Sequence, residues 1–374
     1  MPKILYLATE DWFFASHFLP MARAARAAGL DVVVAARAKD QAARIIAEGF
    51  RFVASDLDRT SLQPLQAVRD IVRTRGIIRS EQPDIVHCIA LRPVLAGGIA
   101  ARLARTRALV LAPTGLGHLW IERGPGPAVA RHLMRFAVGS WLRSPRTRYV
   151  FENREDPPEF GLDPDAADVT IVGGAGIDPR DFPLVPEPPA PPVKVAVVAR
   201  MIRHKGIAEA VAAARAARAL GAPLELNLFG DPDPSNPNSL PISTLQAWSS
   251  EPAIKWHGRV SDIARVWREH HIALLLSYRE GLPRSLVEAA AAGRPIVAAD
   301  VTGCREVVRD GENGFLVPLH DVDAAARALA ALCADAALRQ AMGAAGNARV
   351  QRRFTVQAVM AEVEKLYRSL AQFS

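Results

Sequence analysis

The chain has 374 residues, half of them apolar and 23% charged, with three cysteines and a formal net charge of +7. That length exceeds the size at which a single hydrophobic core stops growing, so two domains are expected. No apolar run approaches the ~20 residues of a spanning helix. The opening MPKILYLATEDWFF reads as a buried strand rather than a secretory signal. Cys88, Cys304 and Cys333 are odd in number and far apart, which fits a reducing, cytoplasmic setting and no disulfide framework. The charge is uneven: residues 1–150 carry 22 Lys/Arg against 11 Asp/Glu, a balance of +11, and residues 151–374 carry 24 against 28. A basic first half suits an anionic lipid surface, nucleic acid or a pyrophosphate-bearing substrate; an Arg-rich composition without functional meaning is the alternative.

In chain order, KILYLA predicts a strand, residues 16–28 a helix, DVVVAA and RFVA strands, and residues 62–80 a long helix. DIVHCIA, a helix near 93–103, ALVLAP, a helix over 128–142 and RYVF follow. Short apolar strands alternating with helices of ten or more residues predict a parallel sheet covered on both faces. Residues 183–193, PLVPEPPAPPV, hold six prolines in eleven and predict a semi-rigid extended connector. The alternation then restarts with VKVAVVA, helix 207–220, LELNLFG, a helix near 243–249, IKWHG, helix 263–269, IALLLS, helix 284–291, PIVAAD and GFLVP. An α/β fold of two doubly wound domains is therefore predicted: residues 1–182, a linker at 183–193, and residues 194–352. A final helix within 353–374 has one apolar face, formed by Val356, Val359, Met360, Val363, Leu366, Tyr367 and Leu370.

Ligands of doubly wound sheets bind beyond the carboxyl ends of the strands. After IALLLS comes SYREGLPRSLVEA. Glu280 stands where a ligand would approach, Gly281 permits close backbone contact, and Pro283 suits a helix start whose amides and dipole favour phosphate. Glu288 follows about 7 Å further along the axis at ~1.5 Å per residue. Ionised carboxylates are strong acceptors for sugar hydroxyls; an ordinary surface pair of glutamates is the competing reading. After VKVAVVA comes ARMIRHKG, in which Arg200 and Lys205 can neutralise a departing diphosphate. No triphosphate-binding loop pattern is present.

Together, E280-x7-E288, GRPIVAADVTGCREVV, DGENGFLVP and the R200-x4-K205-G loop resemble retaining glycosyltransferases of the GT-B fold, family 4. The resemblance covers most of the chain. It implies two Rossmann-like domains facing a central cleft, with an acceptor-binding first domain, a nucleotide-sugar-binding second domain, and a last helix that returns to the first. It also implies that Glu288 binds the ribose hydroxyls and Glu280 the donor sugar. Arg200 and Lys205 then hold the diphosphate, helped by Gly281, Leu282 and Ser285. TEDWFFASHFLPMARAARAAG, PTGLGHLWIE, VFEN and GGAGIDPRDF resemble bacterial enzymes of O-antigen, capsule and lipid-linked oligosaccharide synthesis. That implies a UDP-sugar donor, often an N-acetylhexosamine, and a polyprenyl-diphosphate-linked acceptor at the cytoplasmic membrane face, with nucleic acid not expected.

Several residues carry open alternatives. Where the family has a glycine-rich loop, this chain has T9-E10-D11-W12-F13-F14; Glu10 and Asp11 repel phosphate, and Asp11 is expected to cap the next helix. Trp12, Phe13 and Phe14 are core residues or contacts for lipid or sugar. His118 in TGLGH is a donor or acceptor contact or a plain hydrogen-bonded histidine; His17 and His87 are weaker candidates. Arg92 meets an acceptor phosphate or only solvent. Asp231-Pro-Asp233 spells a metal-binding pair but reads as a turn, Asp321 and Asp323 read as a helix start, and no metal or other cofactor is expected. A nucleotide-sugar epimerase or hydrolase, or a scaffold without turnover, shares the same architecture.

Overall fold

The computed structural model describes residues 1–56, 64–114, 116–122, 124–234 and 236–371, apart from the side chains of residues 64, 117 and 118. The chain divides into two compact units: residues 1–176 with 356–374, and residues 177–355.

In the first unit the strands are β1 (Lys3–Glu10), β2 (Asp31–Arg37), β3 (Arg51–Ala54), β4 (Ile85–Ile89), β5 (Ala108–Ala112), β6 (Thr147–Phe151) and β7 (Val169–Ile171). Among the described residues they form one sheet, parallel in every pairing, in the order β3-β2-β1-β4-β5-β6-β7. Successive side chains of a strand point to opposite faces. On β1, Ile4, Tyr6 and Ala8 enter one core while Leu5 and Leu7 enter another. The helices are α1 (Asp11–His17), α2 (Leu19–Ala27), α3 (Ala42–Ala47), α4 (Pro64–Glu81), α5 (Leu91–Ala104), α6 (Gly117–Ile121), α7 (Pro125–Phe136) and α8 (Asp156–Glu159). Residues of α1 and α2 cover the first core; residues of α4, α5 and α7 cover the second.

Two expected helices differ from those observed. The helix over 16–28 is two helices meeting at Phe18 (φ −120°). Pro20 lacks an N–H and its ring crowds the carbonyl four residues back, which forbids one continuous helix. The helix over 128–142 begins three residues earlier and ends as a π turn, Ala137–Trp141, in which Leu142 N–H donates to Ala137 O at 2.8 Å. β7, not expected from the sequence, is three half-buried residues at the sheet edge, too short to show a period.

The second unit contains β8 (Val193–Val198), α9 (Ile207–Ala219), β9 (Leu224–Phe229), α10 (Ile242–Ser249), β10 (Ile254–Trp256), α11 (Ile263–Glu269) and β11 (Ile272–Leu275). After these come α12 (Arg284–Ala291), β12 (Ile296–Ala299), α13 (Cys304–Val307), β13 (Gly314–Val317), α14 (Val322–Ala334) and α15 (Ala336–Arg353). Its sheet is also parallel, in the order β10-β9-β8-β11-β12-β13. Asp321, read from the sequence as part of a helix start, caps α14 by accepting from Ala324 N.

The proline-rich segment lies inside the second unit, not between the units as expected. Proline supplies no N–H, so its neighbours' carbonyls need outside donors, and buried basic side chains of this unit provide them. Arg294 donates to Val185 O and Pro186 O (3.2 Å each), and His271 Nε2 lies 3.0 Å from Pro188 O. Arg339 pairs with Glu187 at 2.9 Å. The chain crosses between units at 176/177 and again at 355/356. Ile177 and Thr355 pair as a parallel bridge, and Ile177 N–H donates to Phe354 O at 2.9 Å.

The last helix, α16 (Val356–Ala371), belongs to the first unit and packs its apolar face against α2. Its Tyr367 is fully buried and its hydroxyl lies 2.8 Å from both Tyr6 Oη and His87 Nδ1. Tyr6 Oη also reaches Met21 O at 3.0 Å. Burial lowers the His87 pKa to about 3, so the imidazole is neutral and serves as a hydrogen-bonding group of the core.

Candidate active site

Strand order in the second sheet reverses direction between β8 and β11, and such a switch point opens a crevice at the strands' carboxyl ends. The loop after β8 carries Arg200 and Lys205; the loop after β11 carries Glu280. Gly206 joins the two loops closely. Its φ is +66°, and a Cβ there would lie 2.0 Å from Leu276 O, so only glycine fits in both conformation and space. Tyr278 N–H donates to His204 O at 3.0 Å. With the loops held side by side, Lys205 Nζ meets Glu280 Oε1 at 2.6 Å, the two side chains 23% and 10% exposed.

The turn at residues 301–303 supports Glu280 from below. Glu280 N–H donates to Thr302 O at 3.3 Å, and a Cβ on Gly303 (φ +81°) would fall 2.6 Å from Gly281 O. The helix α12 starts after Pro283, and the first-turn amides of a helix lack intrahelical acceptors. Gly281, Leu282 and Ser285 are half-buried around that start.

Glu288 is 7% exposed on the second turn of α12, and Arg284, four residues earlier, donates to its Oε1 at 2.8 Å. Burial raises the Glu288 pKa above the usual carboxylate range; the charge of Arg284 and its hydrogen bond oppose this. Because the folded state keeps this proton to higher pH than the unfolded chain, stability falls as pH rises from the ordinary glutamate value to the raised one. Only the ionised form can accept from two hydroxyls without donating. If Glu288 receives the ribose hydroxyls, as the resemblance implies, donor affinity is expected to weaken on acidification, beginning above the ordinary glutamate range, and to lose that dependence in Glu288→Gln. Titration calorimetry across pH 4 to 8 checks this, and a slope equal in both proteins would contradict it.

Arg200 is not brought to the Lys205–Glu280 pair. Its guanidinium, half exposed, holds Asp233 Oδ2 at 2.7 Å. Asp231 Oδ1 accepts from Arg259 N–H at 3.0 Å. Both carboxylates of Asp231-Pro-Asp233 thus bind nitrogen donors from other loops, after β8 and after β10. Among the described residues no cluster of three or more His, Cys, Asp or Glu side chains has metal-binding geometry.

In the first unit, Asp11 is not the helix cap that was expected. Glu10 occupies the N-cap position, and Asp11, fully buried at the first helical residue, accepts from Trp12 N, Lys39 N and Gln41 N at 2.6, 2.7 and 3.0 Å. The amides of Lys39 and Gln41 tie the loop after β2 to the turn after β1. Glu10, 3% exposed, faces Lys39 Nζ at 3.1 Å and Arg37 at 3.7 Å. Phe14 is core, Phe13 packs partly against it, and Trp12 is 37% exposed. Arg92 pairs with buried Asp70 at 2.7 Å, linking α5 to α4. His17 contacts Ser16 Oγ and packs on Phe13. The backbone of His118 lies in α6; its side chain is outside the described residues.

Three contributors escaped the sequence reading. Arg284 was legible in principle from its i,i+4 spacing to Glu288. Asp233 had been read only as a turn residue, since its partner lies 33 positions away. Tyr278 donates to Glu209 Oε1 at 2.6 Å, and burial, with that carboxylate, pushes its pKa up to about 12; no local pattern marks the pair.

Comparison with known proteins identifies the family and the fold. The family described as "Glycosyl transferase 4-like" matches residues 3–150, and "Glycosyl transferases group 1" matches residues 192–335. The chain is 26% identical to the protein named as glycosyltransferase EpsD of Bacillus subtilis, over 98% of this chain and 96% of that one. It is 25% identical to the N,N'-diacetylbacillosaminyl-diphospho-undecaprenol alpha-1,3-N-acetylgalactosaminyltransferase of Campylobacter jejuni, over 71% of this chain and 72% of that one. The fold is similar to that of HepE from Anabaena, solved in complex with UDP, with a TM-score of 0.75 at 16% identity over 99% and 100% of the two chains. With the two family matches spanning most of both units, the chain belongs to the family-4-like glycosyltransferases of the GT-B fold and is a transferase enzyme.

Proposed function

We propose that this enzyme moves a hexose or N-acetylhexosamine from a UDP-sugar to a polyprenyl-diphosphate-linked saccharide, with retention of anomeric configuration and without a metal, in surface-polysaccharide synthesis. The observation that carries this reading is the Lys205–Glu280 pair at the switch point of the second sheet. Lys205 supplies positive charge that a departing diphosphate needs, and Arg200 adds to it by exchanging Asp233 for the diphosphate. Glu288 takes the ribose hydroxyls and Glu280 the hydroxyls of the transferred sugar. Glu280 is engaged by a lysine on one oxygen, which suits a hydrogen-bonding role rather than covalent attack. The acceptor then enters on the face from which the diphosphate leaves. UDP in HepE and the diphospho-undecaprenol-linked acceptor named for the Campylobacter relative support the choice of donor and acceptor. A membrane-borne acceptor also gives the basic first half a role at an anionic bilayer surface.

Thermal unfolding with UDP-, GDP- and ADP-sugars in EDTA tests the donor. A ligand that binds only the folded state raises the midpoint, by the equivalent of about 2.7 kcal/mol at a hundred times its Kd. UDP-sugars are expected to do so and the others not. Protection by a GDP-sugar alone would overturn the base assignment. Loss of turnover in EDTA, restored by a divalent ion, would overturn metal independence. Release of free sugar in the absence of acceptor would make the chain a hydrolase.

A further inference from the structure

The helices α4, α5 and α7 lie on one face of the first sheet, and their inner residues, among them Ile78, Val94, Met134 and Val138 with the π turn, form that core. Several of their outer residues are also apolar. On α7, Val129, Leu133 and Phe136 are 59%, 61% and 59% exposed; their spacing of four and three places them on one stripe. On α4, Leu65, Val68 and Val72 are 73%, 58% and 64% exposed, again at helical spacing, and Leu103 of α5 is 52% exposed. A helix buries one apolar face and normally leaves the other polar. These helices have apolar residues on both.

The π turn extends the stripe. Five residues span about one wide turn there, so Trp141 returns toward the side of Phe136, whereas an α-helix would carry it to the far side. Trp141 is 41% exposed, and the Arg102 guanidinium of α5 lies 5.3 Å over its ring.

The charges on this layer have one sign. Between residues 124 and 151 there are five arginines and a histidine and no Asp or Glu. α5 also contains no acidic residue. The two acidic residues of α4, Asp70 and Glu81, are buried and ion-paired with Arg92 and with Lys3 and Arg51. Arg69, Arg73, Arg102, Arg105, Arg135 and Arg146 are exposed. An interfacial helix needs an apolar stripe, cations that extend to headgroups and an aromatic at the boundary. No described helix is long and apolar enough to cross a membrane.

We propose that the outer face of α4, α5 and α7 is the surface by which this chain docks on an anionic lipid bilayer, with Leu133, Phe136 and Trp141 entering the headgroup region. One-signed charge around an apolar stripe matches a negative lipid surface; a protein partner would have to be acidic and apolar in the same pattern. The proposal rests on the reading of a membrane-borne acceptor and locates it, yet its test is independent of that reaction.

Flotation of the full chain with phosphatidylglycerol/phosphatidylcholine vesicles tests it, alongside vesicles of phosphatidylcholine alone. The wild type is expected to bind the anionic vesicles at least tenfold better, and more weakly as salt rises. The double variant Leu133→Ser/Phe136→Ser should lose at least tenfold in partitioning while keeping its unfolding midpoint and its protection by UDP-sugar. Equal vesicle binding by the double variant and the wild type would overturn the proposal, as would binding indifferent to lipid charge. A dimer of wild type, broken by the same substitutions, would assign the face to a second copy instead. Lipid binding that persists when the enzyme proves to use a soluble acceptor would leave this surface standing and remove only the acceptor reading.

Discussion

Lys205→Ala is expected to lower kcat by about two to three orders of magnitude, the range seen when one preorganised donor is removed from a developing anion. The structure gives the reason. Lys205 is held on a tight turn by Gly206, whose backbone packs on Leu276 O, and its ammonium is fixed by Glu280 at 2.6 Å. A cation already in place costs little reorganisation when the diphosphate leaves. The substitution also strands Glu280, 10% exposed. An orphaned, mostly buried acceptor costs about 1–3 kcal/mol, so the unfolding midpoint should fall by a few degrees while circular dichroism stays that of the wild type. Lys205→Arg keeps the charge and should recover part of the rate. Steady-state turnover with a UDP-sugar measures this, and an alanine variant with wild-type kcat would remove Lys205 from the reaction.

Tyr367→Ala is expected to have the largest effect on stability, about 3–5 kcal/mol. The side chain fills a fully buried position where α16 meets β1 and β4, and truncation leaves a cavity among rings that strands of the sheet hold in place. Tyr367→Phe separates packing from hydrogen bonding. It keeps the volume but leaves His87 Nδ1 without its 2.8 Å partner, while Tyr6 Oη retains Met21 O. About 1–3 kcal/mol is expected for that variant. Denaturant unfolding followed by near-ultraviolet dichroism checks both. Equal, small losses in the two variants would mean that α16 contributes little to holding the first unit together.

The candidate donor residues were the easiest to place in the chain. Glu280, Glu288, Arg200 and Lys205 all fall directly after strands or on a strand-following helix, where the alternation of apolar strands and helices can be read by eye. Their partners were less legible because partnership depends on loops distant in sequence. Lys205 and Glu280 are 75 positions apart, and Arg200 turned out to hold Asp233 rather than to join them. The turn after β1 was harder still. Asp11 has the residue type of a helix cap, yet it receives the amides of Lys39 and Gln41, and nothing local to TEDWFF announces a loop some thirty residues downstream.

The proline-rich segment shows the same division. Six prolines in eleven residues do determine an extended chain, but extension does not decide which body it follows. Buried Arg294 and Arg339 decide that by satisfying its carbonyls and Glu187 within the second unit.

The sequence by itself determined the class of this protein: two parallel sheets covered by helices, a last helix with one apolar face, and the motif order of a glycosyltransferase family. Those features are written in residue period, in prolines and in residues following strands, all short-range and therefore readable. Only the tertiary structure decided which carboxylate pairs with which cation, and that α16 completes the first unit through Tyr367. It alone revealed that α4, α5 and α7 keep apolar side chains on their outer faces. Period shows that a helix has an apolar stripe; only packing shows whether anything covers it.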